Sequence, residues 1–202
     1  MSETHATVAE LLAGADHPTM SFEFFPPRDD AGTAQLLDAI AGLQPLRPDF
    51  VSVTYGATGS SRERTVDATR LISERSDAIT MGHLTCVSQS TEELRGAIAA
   101  YAEAGVRHIL AVRGDPPGGP TAPWQTHPDG LANATELVRL VKAGGDFCVG
   151  VGAFPDGHPE RHDLDLDARL LAEKEQAGAE FAITQLFFDP AAYFALVERV
   201  RR

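Results

Sequence analysis

Lysine is almost missing from this chain of 202 residues, Lys142 and Lys174 being the whole supply. Both fall in helical patterns, which argues against a Schiff-base enzyme built on a strand lysine. Positive charge in general is short: 17 Lys and Arg stand against 29 Asp and Glu, a net charge of -12. That balance excludes a basic nucleic-acid groove and a polybasic membrane patch. Only two cysteines occur, Cys86 and Cys148, far apart and outside any Cys-x-x-Cys spacing, so neither a disulfide framework nor a thiol triad is indicated. No apolar run approaches the roughly 18 residues of a membrane span, and no signal peptide opens the chain. The expectation is a soluble, cytoplasmic protein with reduced thiols that works on small molecules and forms a homo-oligomer.

What the chain does have is a beat. Apolar runs suited to buried strands begin near Met20, Phe50, Ile79, His108, Cys148 and Ala182, at intervals of 30, 29, 29, 40 and 34 residues. Between and after them lie helical patterns over Thr33–Leu46, Arg62–Arg75, Thr91–Gly105, Leu131–Gly144, Asp165–Gly178 and Ala191–Arg202. Ser90-Thr91-Glu92-Glu93 is a capping signal, and Gly105, Gly144 and Gly178 suit helix ends. Repeated strand-helix units predict an α/β fold with a parallel sheet, of the (β/α)8 TIM-barrel type with about six units present. Residues 1–18, with a short amphipathic pattern over Thr7–Ala15, read as an N-terminal helical extension, and residues 19–202 as the barrel. A closed barrel takes about 250 residues, so this one is expected to be C-terminally incomplete, with an edge beside the sixth strand exposed to aggregation.

The first strand is the most informative stretch. Met20-Ser21-Phe22-Glu23-Phe24-Phe25 alternates and then meets Pro26 and Pro27, which cannot continue a ladder. Glu23 therefore lies at the carboxyl end. Two readings are open: an acid desolvated by aromatics and raised toward neutrality for proton donation, or a solvated strand-end acid helped by Arg28. No Gly-x-Gly-x-x-Gly follows this strand, and Gly150-Val151-Gly152 lacks the third glycine, which fits close packing in a barrel interior better than a dinucleotide turn. Polar groups recur at successive strand ends: Glu23, Ser52 and Thr54, His83 and Thr85, Arg113 and Asp115, and Gln185. Convergence of that kind is expected at the catalytic face of a barrel.

No metal is expected. His158 and His162 have i, i+4 spacing, but Pro159 separates them, and Asp163-Leu164-Asp165-Leu166-Asp167 lacks a calcium loop's glycine and carries Lys174 at its twelfth position. An acid, amides and hydroxyls without a metal or nucleophile suit an organic cofactor. Two loops could hold one: Gly114-Asp115-Pro116-Pro117-Gly118-Gly119-Pro120, next to which Arg113 could pair with a phosphate, and Tyr55-Gly56-Ala57-Thr58-Gly59-Ser60-Ser61, which leads into a helix N-terminus. Trp124 reads as a lid residue or as packing.

The chain resembles the methylenetetrahydrofolate reductase family. The likeness is carried by Ser21-Phe22-Glu23-Phe24-Phe25-Pro26-Pro27, Phe50 to Ala57, His83-Leu84-Thr85-Cys86, Arg113-Gly114-Asp115, His158-Pro159-Glu160 and Ala182-Ile183-Thr184-Gln185. It implies reduction of 5,10-methylenetetrahydrofolate to 5-methyltetrahydrofolate by NADH or NADPH through bound FAD in a ping-pong mechanism. By resemblance Glu23 is the general acid, and Asp115 a second catalytic group near flavin and pterin. Gln185, with Glu23 and Asp115, contacts substrate. Thr54, His83, Arg113, Gly114, Asp115, Phe154, His158, Asp167 and Lys174 hold the cofactor.

Three positions depart from the family pattern. Phe154 replaces a common Tyr, and Leu170 and Glu173 stand where flavin-binding members often have Asn and Arg, which weakens the expectation of FAD. Two alternatives follow: flavin-independent hydride transfer from NADH, or a non-catalytic truncated barrel that binds folate or flavin without turnover.

Overall fold

In a computed structural model, residues 7–55, 59–119 and 122–202 are described, without the side chains of 59–62. Six parallel strands form one sheet in the order β1-β2-β3-β4-β5-β6. They are β1 (Ser21–Phe24), β2 (Phe50–Val53), β3 (Ile79–Thr85), β4 (His108–Val112), β5 (Cys148–Ala153) and β6 (Phe181–Thr184). A doubly wound sheet reverses its strand order at a switch point. Here every strand pairs with its successor, and the sheet curls into a half-barrel whose free edges are β1 and β6.

The helices are α1 (Val8–Gly14), α2 (Asp30–Leu43), α3 (Gly59–Arg75), α4 (Thr91–Glu103), α5 (Ala134–Gly144), α6 (Leu164–Gln176) and α7 (Pro190–Val200), with a 3-10 turn over Gln44–Leu46. Their starts follow local chemistry. Ser90 and Glu93 form a reciprocal capping box on α4, Asn133 accepts from the N–H of Glu136, and Asp163 accepts from the N–H of Leu166. Gly105 and Gly178 follow helices with φ of 75° and 113°, conformations that a side chain resists. The expected starts of the strands lie within one residue of those found. The second helix begins at Asp30 rather than Thr33, because the Asp29 side chain caps it by accepting from Gly32 N–H.

Alternation sorts the strand residues onto two faces. Val51 and Val53 turn outward to Leu36, Ile40, Ala68 and Ile72 of α2 and α3. Ile109, Ala111, Val149 and Val151 meet Leu94, Ile98, Leu137 and Val141 of α4 and α5. Phe50, Met81 and Leu110 turn inward, where Val8 and Leu11 of α1 pack on them. The α1 helix thus closes the amino-terminal end of the half-barrel, and the buried Val8 N–H donates to Nε2 of His108, 3.3 Å away.

Two glycines set strand approach. A Cβ on Gly82 would lie 2.5 Å from the Tyr101 ring, and a Cβ on Gly150 would enter the ring of Phe181, its partner on β6. The second accords with the packing role expected for Gly150. Large apolar groups stand exposed along the open side, among them Leu186, Phe188 and Phe194 beyond β6 and Phe25 beyond β1. Among the described residues no helix is long and apolar enough to cross a membrane.

Candidate active site at the carboxyl ends of the strands

Glu23 and His83 face each other across the concave side of the sheet. Glu23 is in register with Ser52, Ser52 with Met81, and His83 is the next inward position above Met81. The Glu23 Oε2 to His83 Nε2 distance is 3.5 Å. The two environments differ sharply: the carboxylate side chain is 53% exposed and the imidazole 11%. Burial pushes the His83 pKa down to about 4, so the ring is neutral at pH 7. Its Nε2 has no hydrogen-bond partner among the described residues. The backbone beneath is pinned, because the buried Tyr101 hydroxyl donates to the His83 carbonyl at 2.9 Å.

The desolvated recess considered for Glu23 is not what surrounds it. Phe25, one of its expected walls, is 78% exposed. Among the described strands β1 lies at the sheet edge, paired with β2 alone, and water reaches the carboxylate from its open side.

Above β3 and β4 a turn of close backbone approaches is built. The Arg113 carbonyl accepts from Val87 N–H at 3.0 Å and from Cys86 Sγ at 3.5 Å. Gly114 follows with φ of 83°, and a Cβ there would lie 2.7 Å from Val87 Cγ1. Gln89, fully buried, donates to the Thr85 carbonyl at 2.5 Å and accepts from the Tyr55 hydroxyl at 3.3 Å. The Thr85 hydroxyl oxygen is itself buried without a partner among the described residues. Asp115 projects into solvent, and no described residue holds its carboxylate. Thr54 donates its N–H to the Phe24 carbonyl at 2.9 Å.

A second cluster forms where β5 runs into α6. The Phe154 and His158 rings pack with centroids 4.7 Å apart. Asp167, buried in the first turn of α6, accepts from His158 N–H at 2.7 Å and from Arg161 Nη2 at 3.0 Å. Both of its oxygens therefore serve the loop. Lys174 donates to the Gly152 carbonyl at 3.1 Å, and burial lowers its pKa to about 8. Arg113 bridges the two clusters through a two-pronged pair with Glu160, at 3.0 and 2.6 Å. That contact holds the Glu160 carboxyl below the usual range. Burial foremost, and then Arg161, lower the His158 pKa.

Comparison with known proteins settles the family. The methylenetetrahydrofolate reductase profile matches residues 7–202. The chain belongs to the methylenetetrahydrofolate reductase family. It is 43% identical over 182 residues to a 5,10-methylenetetrahydrofolate reductase of Pectobacterium carotovorum subsp. carotovorum, covering 89% of this chain and 58% of the relative. It is 41% identical over 180 residues to the protein of that name from Escherichia coli K12, with the same coverages. The chain thus spans 58% of the length of these curated relatives. Among solved structures, 2,3-dimethylmalate lyase superposes with a TM-score of 0.64 at 12% identity, covering 95% of this chain and 66% of that one. A Clostridium thermocellum protein described as binding two copies of 5-methyl-5,6,7,8-tetrahydrofolic acid gives 0.61 at 11% identity, over 90% of this chain and 59% of that one. These two likenesses speak for the fold alone.

Within the reductase family frame, the structure brings Glu23 to His83, and Arg113 through Glu160 to His158, Asp167 and Lys174. Gln185 and Asp115 stand exposed at their strand ends. The loop at 55–61 falls partly outside the described residues. The residues present suit a polar cofactor: Thr85 Oγ1, Arg113 Nε and Trp124 Nε1 can donate and His83 Nε2 can donate or accept, all four are buried without partners among the described residues, and the Gly114 turn beside Thr85 admits no Cβ. Leu170 is half-buried and Glu173 exposed on α6, so neither adds a donor.

Sequence reasoning had not assigned roles to Glu160, Arg161, Gln89 or Tyr101. Glu160 was readable as an acid beside Arg161 in an acidic chain. Tyr101 and Gln89 carry no such signal, because they act through the backbone carbonyls of residues 18 and 4 positions away.

Proposed function

We propose that the protein of which this chain is part reduces 5,10-methylenetetrahydrofolate to 5-methyltetrahydrofolate with NADH or NADPH as reductant and FAD as carrier. The reading is carried by the Glu23–His83 pair at the carboxyl ends of β1 and β3, a carboxylate facing a neutral buried imidazole. It is supported by the family to which the chain belongs. The chemistry that FAD would supply there is hydride carriage between nicotinamide and folate. Arg113, His158 and Lys174 would hold its phosphates and ribose, and the Gly114 turn would let the cofactor approach backbone. Glu23, protonated from the solvent it faces, would pass that proton to the folate nitrogen whose bond to the methylene carbon breaks as the five-membered ring opens to an iminium. Asp115 and Gln185, both in solvent reach, would meet the pterin.

Half-reactions test this. Glu23→Gln is expected to keep flavin bleaching by NADH and to lose folate reduction; equal loss of both would remove its role as acid.

A second reading, direct hydride transfer from NADH without a flavin, draws on Glu173, an exposed carboxylate on α6 that opposes a diphosphate. Folate-dependent NADH oxidation by a colourless protein would select it. A colourless protein that oxidises no NADH would instead favour a binding barrel without turnover.

A further inference from the structure

We infer that Glu160 is a positioning residue for Arg113, with Trp124 as its second support, so that this arginine meets an anionic ligand already fixed in plane and direction. The inference rests on the reading of Arg113 as a contact of the flavin's phosphates and adds two residues that the family likeness does not assign.

The geometry is that of a clamp. Nη1 and Nη2 of Arg113 each meet one oxygen of Glu160, at 3.0 and 2.6 Å, a fork-to-fork pair that fixes the guanidinium plane. The indole of Trp124 covers that plane, with its centroid 4.4 Å from Arg113 Cζ. The two side chains are 18% and 21% exposed, with Glu160 itself at the surface of its loop. Glu160 is anchored in turn: its N–H donates to His158 Nδ1 at 3.3 Å, and Arg161 Nη1 lies 3.8 Å from its Oε2. The pair is therefore tied at both ends, to the Arg113 carbonyl held by Val87 and Cys86, and to the β5–α6 loop.

What remains unspent is informative. Arg113 Nε and Trp124 Nε1 are buried donors with no partner among the described residues. A free arginine loses rotamer freedom when it binds, whereas a clamped one has lost it on folding. Charge alone argues the other way, because Glu160 is a carboxylate beside a site meant for phosphates. Positioning and simple Coulomb attraction thus give opposite signs for its removal.

The chain's single tryptophan is Trp124, so its fluorescence reports on the clamp without any ligand. In Glu160→Ala, acrylamide quenching of Trp124 is expected to rise about twofold as the guanidinium leaves the indole face. FAD affinity, read by titration of flavin fluorescence, is expected to fall about tenfold. Glu160→Gln keeps the shape and one acceptor and should recover part of both losses. It is read on the same two scales if the alanine variant does not fold. Unchanged quenching, or FAD affinity equal to or above that of the parent, would overturn the inference. A parent protein that takes up no FAD would instead count against the flavin reading, with quenching still deciding the clamp.

Discussion

His83 Nε2 lies 3.5 Å from Glu23 Oε2, one group buried and neutral and the other half in water. Because the folded pKa of His83, about 4, lies below the ordinary imidazole value of 6.5, the unfolded chain binds the proton first as pH falls. His83 therefore costs nothing above pH 6.5 and destabilises the fold progressively between pH 6.5 and 4, by at most about 3 kcal/mol. His83→Gln should flatten that part of the stability profile. Urea midpoints at pH 7.5 and 4.5 measure it, and an equal drop in parent and variant would show that the buried imidazole is not the source.

The amino-terminal end offers a second acid-sensitive contact. His108 Nε2 accepts from Val8 N–H, and burial lowers its pKa, with Glu180 opposing that shift. A protonated imidazole has no lone pair to offer, so acid should loosen α1 from Phe50, Met81 and Leu110. Hydrogen exchange of residues 8–14, taken relative to the intrinsic rate at each pH, should quicken as pH falls below 6.5 in the parent and stay level in His108→Gln, whose amide oxygen still accepts. The same acceleration in both would exclude His108 as the cause.

Gly82→Ala places a methyl 2.5 Å from the fully buried Tyr101 ring. Overpacking of this kind costs about 1–3 kcal/mol, and here it also strains the hydroxyl that holds the His83 carbonyl. Thermal unfolding should show the loss, and Tyr101→Phe in the same background should restore it only in part, since the added methyl meets two ring carbons at 2.5 and 2.6 Å as well as the hydroxyl oxygen at 2.8 Å.

Glu173→Arg should tighten FAD by about fivefold to tenfold if its face of α6 looks toward the diphosphate. Equilibrium dialysis against FAD gives the answer, and unchanged affinity would place that helix face away from the phosphates.

The fold was legible because each strand-helix unit carries its own signals within some thirty residues: an apolar run, a capping side chain, a terminal glycine. Ser90 and Glu93 make the capping box that their spacing announced. The candidate site was legible only where chemistry sits in a named side chain at a strand end, as with Glu23, His83 and Arg113. The openness around Glu23 was not, since exposure depends on what flanks β1, a property of the assembled sheet. Nor was the double engagement of Asp167, whose partners His158 and Arg161 come from a loop with no periodic pattern.

Because the six described strands pair in chain order, every ladder among them joins units adjacent along the polypeptide. Loop closures of that length are cheap and fast. A nascent chain leaving the ribosome could add one unit at a time to a growing edge, each docking on the surface left by the last.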